Sequence, residues 1–140
     1  NKKVKHILLP ILNIDTEFQQ ISDILKNYTS YEDYIKLLEN EEITNMFSIK
    51  VKENFLAFED INPQVKIHAL IIPKVHIQSF NEITANVMSE MTPFIQEVAL
   101  SLGVKNDGYR IITNIGQHGN QEVHHVHFHL LAGEQLGRLV

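Results

Sequence analysis

The sequence predicts an α+β fold, an antiparallel sheet of about five strands with helices packed on it. Segments with strand patterning outnumber helical ones, the links between strands are mostly of hairpin length, and one long helical stretch interrupts them. In chain order, Phe18, Ile21, Leu25 and Tyr28 fall at helical spacing behind Asp15 or Thr16 as N-cap, giving a helix from Thr16 to Tyr28. Ser30-Tyr31-Glu32-Asp33 has the form of a capping box that opens a second helix through Asn40. Ser48 to Lys52 alternates as a strand does, and Phe55 to Glu59 forms another, ended by the turn residues Asn62-Pro63. Ile67 to Ile72 is a buried strand closed by Pro73. Ile83, Val87, Met91, Phe94, Val98 and Leu102 mark a long helix ended by Gly103. Pro93 lies inside it and predicts a kink or break, with Thr92 capping a second segment. Tyr109 to Thr113 and Val123 to Leu131 complete the strands, joined by the polar loop Asn114 to Glu122.

With 140 residues, 44% hydrophobic and 21% charged, the chain can bury a core as one compact domain. A net charge of −5 argues against a protein that holds nucleic acid by neutralising phosphates. No cysteine is present, which excludes disulfides and thiolate metal sites and fits a cytoplasmic location. The run Ile7 to Leu12 follows Lys2, Lys3 and Lys5 but is short, interrupted by Pro10, and not followed by a small-residue cleavage site. It is expected to belong to the folded domain or its arm, with no membrane partner.

Four of the eight histidines fall between His124 and His129. On a strand, side chains alternate, so His125, His127 and His129 share one face while Val126, Phe128 and Leu130 take the other. Same-face neighbours are about 6.6 Å apart. Three imidazoles in a row make a poor core, because each needs a polar partner when buried. One reading is a solvated face on which histidines happen to cluster. A second is a zinc site, with a third ligand from His68 or His118. Its ligands would have to converge to about 2.0–2.1 Å from one ion, which the outer residues of a straight strand do badly. A third is phosphoryl or nucleotidyl transfer. A neutral imidazole attacks phosphorus when its other nitrogen donates a hydrogen bond, and a second imidazole two residues on can protonate the leaving group. The polar, glycine-containing loop from Gly116 to Gln121 can present backbone amides to the phosphate.

His125-Val126-His127-Phe128-His129-Leu130-Leu131 resembles the His-φ-His-φ-His-φ-φ motif of the histidine-triad (HIT) family. The wider likeness is to its Hint branch, whose bacterial members are purine nucleoside phosphoramidases. It is carried by Leu56 to Gln64, by Ile67 to Ile77, and by Asp107 to Arg110, Asn114 and His118 to Val123 leading into the triad. The resemblance implies a HIT-like fold over 31–140, with residues 1–30 as an N-terminal helical extension. By the same likeness His127 is the nucleophile, His129 the general acid facing the leaving group, and His125 a buttress partnered by His68 on the adjacent strand. Asp60 would grip the ribose, with Phe58, Ile61 and Tyr34 or Ile35 walling a purine pocket. Asn114, Gln121 and the backbone at Glu122 and Val123 would cradle the phosphate. His76, His118 and His124 read as surface or loop residues. Asn120 stands where a second glycine is common, Glu122 replaces a common Ser or Thr, and Glu134 a common basic residue.

The implied activity is hydrolysis of purine nucleoside phosphoramidates or related nucleotidyl conjugates through a nucleotidyl-histidine intermediate, with no metal or other cofactor. It calls for a neutral His127 and a protonated His129, hence a bell-shaped kcat/KM profile around neutrality. The expected partners are an AMP- or GMP-like nucleotide and a second copy of the chain as a homodimer. The triad, Asp60 and Phe58 are expected to border the best nucleotide-sized pocket. The alternative is a nucleotide-binding interaction protein with weak or vestigial catalysis.

Overall fold

A computed structural model of the chain describes Asn40, residues 48–60 and residues 62–139. The two expected N-terminal helices, the extension and its boundary, and Tyr34, Ile35 and Ile61 lie outside the described residues. The described chain runs β1 (Ser48–Val51), β2 (Phe55–Glu59), β3 (Ile67–Pro73), a 3-10 turn (Phe80–Glu82), α1 (Ala85–Ser101), β4 (Arg110–Ile112) and β5 (Phe128–Ala132). The five strands form one sheet in the order β1-β2-β3-β5-β4, with every neighbouring pair antiparallel. No helix among the described residues is long and apolar enough to cross a membrane.

Period-two alternation gives the sheet two chemically distinct faces. Phe55, Ala57, Ala69, Ile71, Phe128, Leu130 and Ala132 form one cluster with Met91, Phe94, Ile95, Val98 and Ala99 of α1. The residues between them on β2 and β3, Leu56, Phe58, His68, Leu70 and Ile72, take the opposite face and are also buried. His129 joins that second face, directly across from Leu70.

Helix α1 begins at Thr84, whose hydroxyl accepts the Val87 amide proton at 3.2 Å. It ends in a Schellman turn, with the Val104 amide bonded to the Ala99 carbonyl, the Gly103 amide to the Leu100 carbonyl, and Gly103 at φ 74°. The expected break at Pro93 does not occur, nor does Thr92 cap a second segment: α1 runs through the proline. A proline costs a helix interior about 3 kcal/mol. The apolar face is buried on both sides of it, at Met91 and at Phe94, Ile95, Val98 and Ala99. Burying each larger side chain returns about 1.5–3 kcal/mol, so packing outweighs the lost hydrogen bond.

β5 begins at Phe128, not Val123, so His129 is on a regular strand and His125 and His127 precede it. The β3–β5 ladder stops at the Ile71–Phe128 pair. Pro73 follows soon after on β3 and has no N–H to continue it. From there the incoming chain is held on the segment after β3 by separate bonds. The Val126 amide donates to the Ile77 carbonyl at 2.6 Å, and the Gln121 side-chain amide donates to the Gln78 carbonyl at 2.7 Å.

Candidate active site

The hydrogen-bond partners of the histidines fix their tautomers. A carbonyl oxygen only accepts, so the 2.7 Å contact from His127 Nδ1 to the His125 carbonyl places the proton on Nδ1. The lone pair of His127 is then on Nε2, the nitrogen free to attack an electrophile. Thr113 Oγ1 donates to the His127 carbonyl at 2.9 Å and ties this residue to the end of β4. The ring itself is 9% exposed and meets His129 edge to face, with centroids 5.2 Å apart.

His129 is set from the other side. The Gln64 amide donates to His68 Nδ1 at 3.0 Å, so the proton of neutral His68 is on Nε2. That nitrogen lies 2.8 Å from His129 Nδ1 and 3.3 Å from Asp60 Oδ2. Donation to His129 Nδ1 makes His129 an acceptor there and leaves its own proton on Nε2. Burial, with His127 and His68 alongside, lowers the His129 pKa to about 4. Burial also lowers that of His68, against the opposing charge of Asp60. The free site therefore holds a neutral His129 near pH 7, where the sequence led us to expect a protonated one.

His125 exposes no surface, and its Nε2 donates to the Pro73 carbonyl at 2.8 Å. Burial pushes its pKa down to about 3. His68 was expected to partner His125, but its hydrogen bond goes to His129, because residues 68 and 129 share a face of the ladder while His125 lies beyond the ladder's end. His76, expected as a surface or loop residue, lies in the loop after β3, where it stacks on the His125 ring with centroids 5.3 Å apart and an interplanar angle of 23°. Its Nε2 donates to the His124 carbonyl at 2.8 Å. A lone histidine two residues beyond Lys74 carried no pattern that could reveal this.

Asp60, His68 and His129 offer ligand atoms within 4.8 Å of one another. They do not fit a metal. A ligating histidine keeps its proton on the other ring nitrogen, but His68 Nδ1 already accepts the Gln64 amide, so a metal at Nε2 would leave that ring with no proton. The 2.8 Å between His68 and His129 nitrogens is a hydrogen-bond distance. Two nitrogens bound to one tetrahedral zinc stand about 3.3 Å apart.

The loop before the triad departs from expectation in one residue. Both amide hydrogens of Gln121 are engaged, by the carbonyls of Gln78 and Val123 at 2.7 and 3.0 Å, and its oxygen accepts the Gly116 amide at 3.1 Å. Gln121 therefore staples the loop and does not offer donors to a phosphate. Gly119 is packed against Ile115, where a Cβ would strike the carbonyl oxygen, and Asn120 takes the left-handed φ of 60° that asparagine tolerates. Asn114, partly buried, follows Thr113, the residue bonded to His127. Glu122 is exposed and Val123 half-buried. Glu134 accepts the Lys66 amide at 3.1 Å, joining the end of β5 to the start of β3.

Asp60 Oδ1 accepts the Asn62 amide at 2.8 Å, a local turn that leaves Oδ2 facing His68. The cavity that reaches Asp60 and His68 measures about 170 Å³ and runs past Ile49, Pro63 and Lys66. That is below the usual 300–1,000 Å³ of ligand pockets. Two cavities of about 560 Å³ lie elsewhere, one along Asp107 to Arg110 and Gly133 to Leu136, the other along Pro93, Leu100 and Lys105. Neither of these larger cavities borders the triad, and the expected nucleotide pocket also takes in Tyr34, Ile35 and Ile61, which lie outside the described residues. Phe58, expected as a purine wall, is fully buried core on the His68 face.

The model of the HIT domain family matches residues 35–136. An uncharacterized HIT-like protein of Helicobacter pylori is 54% identical over 83 residues, which is 59% of this chain and 80% of that protein. The purine nucleoside phosphoramidase of Escherichia coli is 41% identical over 87 residues, covering 60% of this chain and 73% of the relative. Among solved structures, a histidine triad protein from Clostridium difficile matches with a TM-score of 0.64 at 33% identity, over 71% of this chain and 92% of that one. With the antiparallel sheet, the triad and this match over most of its length, the chain belongs to the HIT family.

Proposed function

We propose that the protein hydrolyses purine nucleoside phosphoramidates or related nucleotidyl conjugates, with His127 as the nucleophile. The observation that carries this reading is the bond from His127 Nδ1–H to the His125 carbonyl, which leaves the Nε2 lone pair for phosphorus. The likeness to the E. coli phosphoramidase supports the substrate class. Nε2 bonds to the α-phosphorus as the P–N bond to the leaving amine breaks, and that nitrogen takes a proton from His129 Nε2. Water then attacks the phosphorus, gives a proton back to His129, and releases His127. The proton for the first step comes in with substrate. An anionic phosphate beside His129 favours its charged form, reversing the burial that keeps it neutral in the free site. Asp60 Oδ2, 3.3 Å from His68 Nε2, can then take the hydrogen bond that His129 gives up.

Turnover of adenosine phosphoramidate by protein treated with EDTA, its metal content checked by elemental analysis, tests the reading. Full activity without metal is expected. Activity that vanishes with the metal and returns with zinc would overturn it.

The protein partner in this reading is a second copy of the chain. β4 ends the sheet, pairs with β5 alone among the described strands, and leaves Ile111 38% exposed at that edge, with Leu100 of α1 62% exposed. Ile111→Asp is expected to shift the mass measured by light scattering from dimer to monomer. An unchanged mass would place the interface elsewhere, or show none.

A further inference from the structure

We propose that His76 is a positioning residue that holds His127 in its nucleophilic tautomer, an inference that rests on the reading of His127 as nucleophile. Beyond the Ile71–Phe128 pair the sheet no longer holds the chain that leads into the triad, so each anchor there counts separately. Three of them grip consecutive residues. His76 Nε2 donates to the His124 carbonyl, His125 Nε2 to the Pro73 carbonyl, and the Val126 amide to the Ile77 carbonyl.

His76 contributes twice, because its ring also lies nearly parallel on that of His125. The peptide between His124 and His125 is thereby held at its carbonyl and at the side chain that follows. The next carbonyl, that of His125, is the one that accepts His127 Nδ1–H. The two neutral tautomers of imidazole differ little in energy, so the acceptor on one nitrogen decides which form is present. If that carbonyl swings away, His127 spends time with its proton on Nε2, where it has no lone pair to offer phosphorus. A purely structural His76 would change the melting temperature and leave the tautomer alone.

The test is the imidazole nitrogen spectrum of His127 in ¹⁵N-labelled protein, read beside steady-state kinetics with adenosine phosphoramidate. In His76→Ala the single Nδ1–H pattern of His127 should give way to a mixture. kcat should fall about tenfold, the worth of one orienting hydrogen bond, with KM within about twofold of the parent. His76→Gln keeps a donor for the His124 carbonyl and should recover much of both, whereas His76→Phe keeps only the ring and should resemble Ala. A folded His76→Ala protein with the parental His127 spectrum would overturn the proposal. If that variant does not fold, the Gln and Phe variants decide it, and parental His127 spectra in both would overturn it. Failure of the underlying function looks different: turnover that survives His127→Ala removes the nucleophile, whatever the His76 variants show.

Discussion

The histidine segment contains two kinds of structure that meet at Phe128. From Phe128 to Ala132 the chain is a strand between β3 and β4, and its side chains obey the alternation that puts His129 on the face of His68 and Leu70. From Gln121 to His127 it is held by side-chain amides, imidazoles and single backbone bonds to Pro73, Ile77 and Gln78. The regular half delivers a residue to a face. The irregular half aims a carbonyl at a nitrogen, which a ladder would have spent on the neighbouring strand. The proposed proton donor sits in the first and the proposed nucleophile in the second, so the two can be perturbed separately.

The largest effect on the regular half is expected from His129→Ala. An amine leaves poorly unless protonated, so hydrolysis of phosphoramidates should fall by about 10²–10⁴-fold, while substrates with a good leaving group lose little. Equal losses across leaving groups would make His129 a binding residue. Because the free site holds His129 with a pKa of about 4, kcat/KM of the parent should decline as pH rises through neutrality, while kcat changes less. A bell centred on pH 7 would mean that burial does not keep His129 neutral in the free site.

A smaller effect, on stability, reports the irregular half. His125 titrates near 6.5 when unfolded and at about 3 when buried, so the unfolded chain binds the extra proton between those values. Stability is then fully present above pH 6.5 and is lost as pH falls towards 3, at roughly 1.4 kcal/mol per pH unit. Urea midpoints measured between pH 7 and 5, above the range where most carboxylates titrate, should drop accordingly. His125→Gln, which can still donate to Pro73, should reduce that drop and leave the part contributed by His129, whose pKa burial also lowers. A profile with the same slope in both proteins would assign the effect to another group.

The same division explains what the sequence could tell. β2 was legible to the residue and β3 nearly so, because apolar runs bounded by turn residues and a proline act locally. Pro93 misled, since its cost is local while the buried face that outweighs it is a property of the packed core. His129 was placed correctly by alternation, and the proline that ends the ladder for His125 and His127 lies some fifty residues earlier, at Pro73. For the same reason the sequence paired His68 with the wrong histidine and did not reveal the contact between His76 and His125. Gln121 was placed in the phosphate cradle by the family resemblance, yet which partners occupy an amide is decided by the fold.

The proposed chemistry turns on one atom, His127 Nε2. Protein mixed with adenosine phosphoramidate and stopped in alkali within a turnover should carry a nucleotidyl group on the peptide containing His127, since a phosphorus–imidazole bond survives base. Fragmentation should assign it to His127, and His127→Ala should show neither the adduct nor measurable turnover, a loss of several orders of magnitude. An adduct on another histidine, or substantial turnover in the variant with no adduct anywhere, would contradict the assignment.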